Sequence, residues 1–316
     1  MKKSSKKLDV RLTLGDLLGS GTRALTRYTG TLLAVFVVQS IVAIAVMLAC
    51  AVVLSQVFAH APMWDEAVDG DLVSLVTALR FAKANILACA GIGFSALLLW
   101  ELATWFLAGG IYGVFAQRPE GRAETARTFG ASGTATYLSY ARLALCQIPG
   151  LLVSLFVFAL CTNAMSTRLE HALSVADLVV PTLVMIGPPL LILHVLWTVG
   201  DYSRVELTLR HDSHDPGVVI TYLRSLGFVI KRPLALLHAS LGWLGWIAIT
   251  VGYMWLASGH PMFGTEGAVT LFVIRSGVSL ARMALRFAVL AGQVDLGGSR
   301  ALPPRRVEIK AEPKPQ

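Results

Sequence analysis

The chain has 316 residues, 55% of them hydrophobic and 15% charged, with a formal net charge of +8 and a mean hydropathy of +0.66. A soluble domain carries about 25% charged residues, so the composition excludes an ordinary water-soluble enzyme or binding domain. The positive surplus needs no nucleic acid, because it lies almost wholly on one side of long apolar runs.

A bilayer core is crossed by roughly 20 apolar residues in helix. Six runs reach that length: 31–58, 84–115, 137–161, 175–199, 234–257 and 268–292. The pattern predicts an all-α fold, a polytopic bundle of six transmembrane helices occupying residues 31–292. Residues 1–30 form a basic cytoplasmic N-terminus with an amphipathic helix. Residues 293–316 form a Pro-rich, charged cytoplasmic tail whose composition predicts disorder. Ala59-His60-Ala61 resembles a signal-peptide cleavage site, but the first run has 28 residues, against roughly 7–15 for a signal peptide's apolar region. It reads as a retained anchor.

Orientation follows from Lys and Arg, which concentrate in cytoplasmic loops. Of the 27, 21 fall on one side of the spans, three (Arg80, Lys83, Arg168) on the other, and three inside the last span. Both termini are therefore expected in the cytoplasm, and the protein in a bacterial cytoplasmic (inner) membrane. Anionic lipid head groups are the expected partners of the basic side, with a protein partner at the cytoplasmic loops as a further expectation.

Three lead-in segments resemble one another: Gly21-Thr-Arg-Ala-Leu-Thr-Arg-Tyr28, Thr136-Tyr-Leu-Ser-Tyr-Ala-Arg-Leu143 and Tyr222-Leu-Arg-Ser-Leu-Gly-Phe-Val-Ile-Lys-Arg-Pro233. They recur at roughly 100-residue spacing and would make three parallel helical-hairpin repeats. Their Leu and aromatic residues interleave with Arg and Lys at helical spacing, which suits helices lying in the membrane interface. Cys50, Cys89, Cys146 and Cys161 all fall within spans and read as small apolar core residues.

Charges inside spans are costly and carry the functional signal. Arg275, Arg282 and Arg286 fall within roughly 20° of one line down the last span. Gln293 continues the line and Ser279 sits beside it. Gly277, Ala281, Ala284 and Ala288 make the opposite face, suited to close packing. The expected charge partners are Glu101, the carboxylate well inside a span, and Asp201 and Glu206 near Arg204. Two readings stay open. The carboxylates neutralise the stripe and hold the bundle together, or the stripe lines a polar path for an anion or a lipid head group.

Other motifs carry less. Gly109-x-x-x-Gly113 is a common helix-packing pattern, and Pro188-Pro189 predicts a kink or freed carbonyls in the fourth span. Ser258-Gly259-His260 lacks the downstream His of lipid phosphatases. Gly130-Ala-Ser-Gly133, the rhomboid nucleophile sequence, has no base in reach. His211-Asp212-Ser213-His214-Asp215 reads as a solvated turn rather than a metal site. No cofactor site and no catalytic residue are assigned.

Two stretches carry a resemblance: Gly109-Gly-Ile-Tyr-Gly with Phe129-Gly130, and Val199-Gly-Asp-Tyr-Ser-Arg-Val-Glu206 with Leu223-Arg-Ser-Leu-Gly-Phe and Lys231-Arg-Pro233. They resemble the six-span bacterial membrane domain attached to some glycerophosphoryl-diester phosphodiesterases and found in free-standing proteins. The catalytic domain of those relatives has no counterpart in this sequence. The resemblance therefore implies a link to lipids, and the phosphodiesterase activity of those relatives is not carried over.

Overall fold

A computed structural model describes residues 12–58, 72–171, 174–210, 217–258 and 265–298. Among them, all regular structure is helical: α1 (Leu14–Arg27), α2 (Thr29–Phe58), α3 (Leu72–Phe81), α4 (Lys83–Gln117), α5 (Arg122–Glu170), α6 (Val175–Leu209), α7 (Val218–Lys231), α8 (Pro233–Ser258) and α9 (Thr265–Gly298). Five of these, α2, α4, α5, α6 and α8, are long and apolar enough to cross a membrane. Their apolar side chains stay exposed along their length, Ile41 at 62% and Leu191 at 65% for example, the surface that lipid would cover.

Local chemistry sets the helix ends. Thr13 and Asp16 cap α1 reciprocally: Asp16 Oδ2 accepts from the Thr13 amide at 2.8 Å, and Thr13 Oγ1 accepts from the Asp16 amide at 3.3 Å. Ser174 and Asp177 build the same box at the start of α6. α4 ends on Arg118 in the left-handed conformation at φ 52°, its amide donating to the Val114 carbonyl. Gly217, at φ 74°, starts α7, and Pro233 opens α8, where a missing N–H costs nothing.

Three expectations change. The cytoplasmic loop expected before residue 137 is helix from Arg122, giving a 49-residue α5 with Pro149 inside it. Its Gly130 and Gly133, which read as loop residues, are helical. The outer connection 59–83 contains α3, while 59–71 lies outside the described residues. The last helix passes the expected boundary at 292 and ends at Gly298. The tail from 299, like the turn 211–215, lies outside the described residues.

The described residues divide into two compact units, one falling within 24–141 and 246–287, the other within 12–23, 142–245 and 288–298. In the first, α2 and α4 run antiparallel. Asn85 Nδ2 donates to the Val53 carbonyl at 3.4 Å, and Cys50 and Cys89 meet one turn further along. α4 crosses α5 at Gly109, Gly110 and Gly113. A methyl at Gly109 would strike the Thr136 hydroxyl, at Gly110 the Phe129 ring and at Gly113 the Ser132 side chain. The Gly109-x-x-x-Gly113 pattern is thus a true close crossing. Tyr112 against Tyr140 and Phe106 against Phe129 fill its edges.

The second unit is built on the end of α9. Leu17, Val199, Tyr202, Phe228, Val229, Ala235 and Leu296 form its core. A Cβ on Gly21 would lie 2.9 Å from the Ala288 carbonyl oxygen, and one on Gly292 would lie 2.8 Å from the His238 ring. α6 stands beside α8 through His194 Nε2 and Ser240 Oγ at 3.0 Å, and through Trp197 against Trp243. Pro181, Pro188 and Pro189 all lie inside an unbroken α6. Pro188 and Pro189 cannot donate to the carbonyls of Val184 and Met185, and the Ser154 hydroxyl donates to the Pro189 carbonyl at 3.1 Å.

Candidate functional site

The stripe on α9 meets different surroundings along its length. Arg275 is exposed and Ser279 half-buried. Arg282 is half-buried, and its Nη2 donates to Thr250 Oγ1 at 2.7 Å. Its guanidinium carbon stands 4.5 Å from the centre of the Trp246 ring. Trp246 and Thr250 are one turn apart on α8 and share a face, so one helix supplies both contacts. The ring's negative face takes the place of a carboxylate, in an arrangement worth about 0.5–2 kcal/mol depending on desolvation. Arg282 Nε is buried and has no hydrogen-bond partner among the described residues. Arg286, one turn on, is half-buried.

Glu101 does not pair with Arg282. It is exposed, and its Oε1 accepts from Trp105 Nε1 at 3.0 Å, one turn along α4. A donor on the same helix needs no second element to reach it, whereas Arg282 turns toward α8. The small-residue face of α9 is also divided: it packs tightly at Ala288 against Gly21 and is open at Gly277.

Gln293 does meet one of its expected partners. It is fully buried, and its Nε2 donates to Asp201 Oδ2 at 3.2 Å. Asp201, 1% exposed, has Arg204 Nη1 at 3.5 Å from its other oxygen. One turn beyond, Glu206 and Arg210 pair at 3.3 Å. Asp201 and Glu206 therefore face charges supplied by their own helix, and a buried amide from α9 completes the first of them. A buried carboxylate is tolerable only with such partners.

Beside this pair lies a cavity of about 20 Å³, lined by Tyr202, Glu206, Arg210, Ser225, Phe228 and Gly297 among others. Its size suits about one water molecule. The Tyr202 hydroxyl and Ser225 Oγ, both buried, have no hydrogen-bond partner among the described residues. Burial of Asp201 and Gln293 together could have been suspected from the polar ends of two apolar helices. The Trp246 and Thr250 contacts had a weaker signal, an aromatic and a hydroxyl four residues apart.

Comparison with protein-family models, curated proteins and solved structures finds no match. The functional reading therefore stands on the chain's own residues.

Proposed function

We propose that this is a non-catalytic integral protein of a bacterial cytoplasmic membrane, crossing six times with α9 as the sixth span and both termini cytoplasmic. It binds a lipid or a partner protein through its cytoplasmic-side helices. The observation that carries this is the outward side of α7. That helix buries Val218, Thr221, Ser225, Phe228 and Val229, yet exposes Val219, Leu223 and Ile230 at 58% or more. At about 100° per residue, these three fall within roughly 40° of one line. Arg224 and Lys231 lie along the adjoining edge. An apolar outer face with a basic edge suits a helix lying at the head-group boundary of an anionic leaflet.

The charge asymmetry of the loops supports the orientation, and the three lead-in segments support parallel hairpin repeats. The resemblance to the membrane domain of glycerophosphoryl-diester phosphodiesterases supports the lipid link. A second reading, a transporter or lipid translocator with the stripe as its anion path, is favoured by the buried, unpartnered Arg282 Nε.

Native mass spectrometry of the protein released from native-lipid nanodiscs separates these readings, with Arg282→Gln and a double Arg224→Gln, Lys231→Gln variant beside it. Anionic lipid retained by the wild type and Arg282→Gln, and lost from the double variant, supports binding at α7. Lipid lost from Arg282→Gln, together with anion uptake by wild-type proteoliposomes, supports the translocator. No lipid retained by any form turns the binding role to a protein partner.

A further inference from the structure

Four cysteines that read individually as core residues include two that the fold sets face to face. The Cys50 sulfur lies 4.0 Å from the Cys89 carbonyl oxygen, and the Cys89 sulfur 3.8 Å from the Cys50 carbonyl oxygen. The reciprocity means that the two residues sit opposite each other rather than staggered along the crossing. The antiparallel register is held independently one turn away, where Asn85 Nδ2 reaches the Val53 carbonyl at 3.4 Å. Cys50 lies eight residues from the end of α2, and Cys89 six residues from the start of α4. At 1.5 Å per residue, both stand about 9–12 Å inside the same ends of the two helices. On the orientation proposed above, those are the outer ends, next to the compartment in which disulfides persist. Both residues are partly exposed, so neither is sealed from a reagent in the membrane.

We propose that Cys50 and Cys89 are a disulfide-forming pair that joins α2 to α4. The oxidant is a disulfide, a small molecule or a protein, acting by exchange. One cysteine, as its thiolate, attacks a sulfur of the oxidant and expels the first thiol, leaving a mixed disulfide. The facing cysteine, losing its proton, attacks the protein sulfur of that mixed disulfide and expels the second thiol. Two protein thiols lose two protons and two electrons, and one oxidant disulfide becomes two thiols. Cys146 and Cys161 lie fifteen residues apart on α5, and each would stop at the mixed disulfide.

The test uses the full-length protein in nanodiscs, first reduced and freed of reductant, then treated with 4,4′-dithiodipyridine, a membrane-permeant disulfide whose released thiopyridone is read by absorbance. Peptide mass spectrometry then locates the products. The expected result is a Cys50–Cys89 linked peptide, two hydrogens lighter than its parts, with pyridyl adducts confined to Cys146 and Cys161. In a Cys50→Ala variant, Cys89 should instead keep its adduct, because nothing faces it to complete the exchange. Wild-type protein that keeps separate adducts on Cys50 and Cys89 would overturn the proposal. So would failure of both to react while Cys146 and Cys161 do.

Discussion

A single methyl group tests how closely α4 and α5 approach. A Cβ added at Gly133 would stand 2.8 Å from the backbone carbonyl oxygen of Phe106 and 2.9 Å from its ring. Ordinary contact begins at 3.4 Å, so the shortfall is about 0.6 Å against backbone that belongs to a helix and cannot swing aside. Overpacking of this kind costs about 1–3 kcal/mol. Alanine also gains about 1 kcal/mol of helix preference over glycine, which would mask part of the loss. Gly130, one turn earlier on the same helix, removes that ambiguity, because a Cβ there meets nothing within 4 Å. The propensity gain is shared, so the difference between Gly133→Ala and Gly130→Ala isolates the crossing. At about 2–4 °C per kcal/mol, Gly133→Ala should melt roughly 2–12 °C below Gly130→Ala. Both variants are followed by intrinsic fluorescence in one detergent at one scan rate, since membrane proteins often unfold irreversibly. Equal midpoints, or a higher one for Gly133→Ala, would refute the close crossing at Gly109, Gly113 and Gly133.

Replacing Asp201 by Leu should cost about 3 kcal/mol, because it removes the acceptor of the buried Gln293 amide and the carboxylate paired with Arg204; Glu101→Gln, at an exposed position, should stay within about 0.5 kcal/mol, and chemical denaturation in detergent compares the two. Arg118→Gly should raise stability by about 0.5–1 kcal/mol, since glycine holds the left-handed turn between α4 and α5 without a Cβ clash; an unchanged or lower thermal midpoint would contradict it. The Thr13 amide and hydroxyl hold the Asp16 carboxyl below its ordinary value of 3.8, so the cap's contribution is present above about pH 4 and lost as pH falls through the depressed value. Protection factors of the amides in the first turn of α1, taken relative to the intrinsic exchange rate at each pH, should therefore fall in acid, and Asp16→Asn should remove that pH dependence.

Much of this architecture was legible because run length is a strong signal in lipid. The apolar stretches mark α2, α4, α6 and α8 to within a few residues at most ends. The 49-residue α5 was not legible. Its first turns are rich in Gly, Ala and Thr, and Gly130 and Gly133 fall in the stretch before the apolar run that begins at 137. Gly133 is there because Phe106 leaves no room for a side chain, a fact that exists only once α4 is beside it. The stripe shows the same division. That Arg282 needs a partner followed from the cost of burying charge. That the partner is an indole face on α8 rather than Glu101 depends on which helix lies alongside. Gln293 and Asp201 are 92 residues apart, and pairwise spacing carries no information at that range. The reciprocal placement of Cys50 and Cys89 was hidden for the same reason, since register between two apolar helices is set by side-chain fit.

The core that joins Leu17 to Leu296 has a consequence for the order in which the protein is made. Leu17 leaves the ribosome early, but the carbonyl that Gly292 packs against and the glycine that meets Ala288 belong to α1. With 279 residues between Leu17 and Leu296, synthesis at about 5–20 residues per second separates the two by roughly 14–56 s. During that interval α1 must wait without its final neighbour, and Asp201 is made before Gln293 exists to meet it. A nascent chain stalled before α9 would present both defects at once, an amphipathic helix short of its last neighbour and a carboxylate without the Gln293 amide.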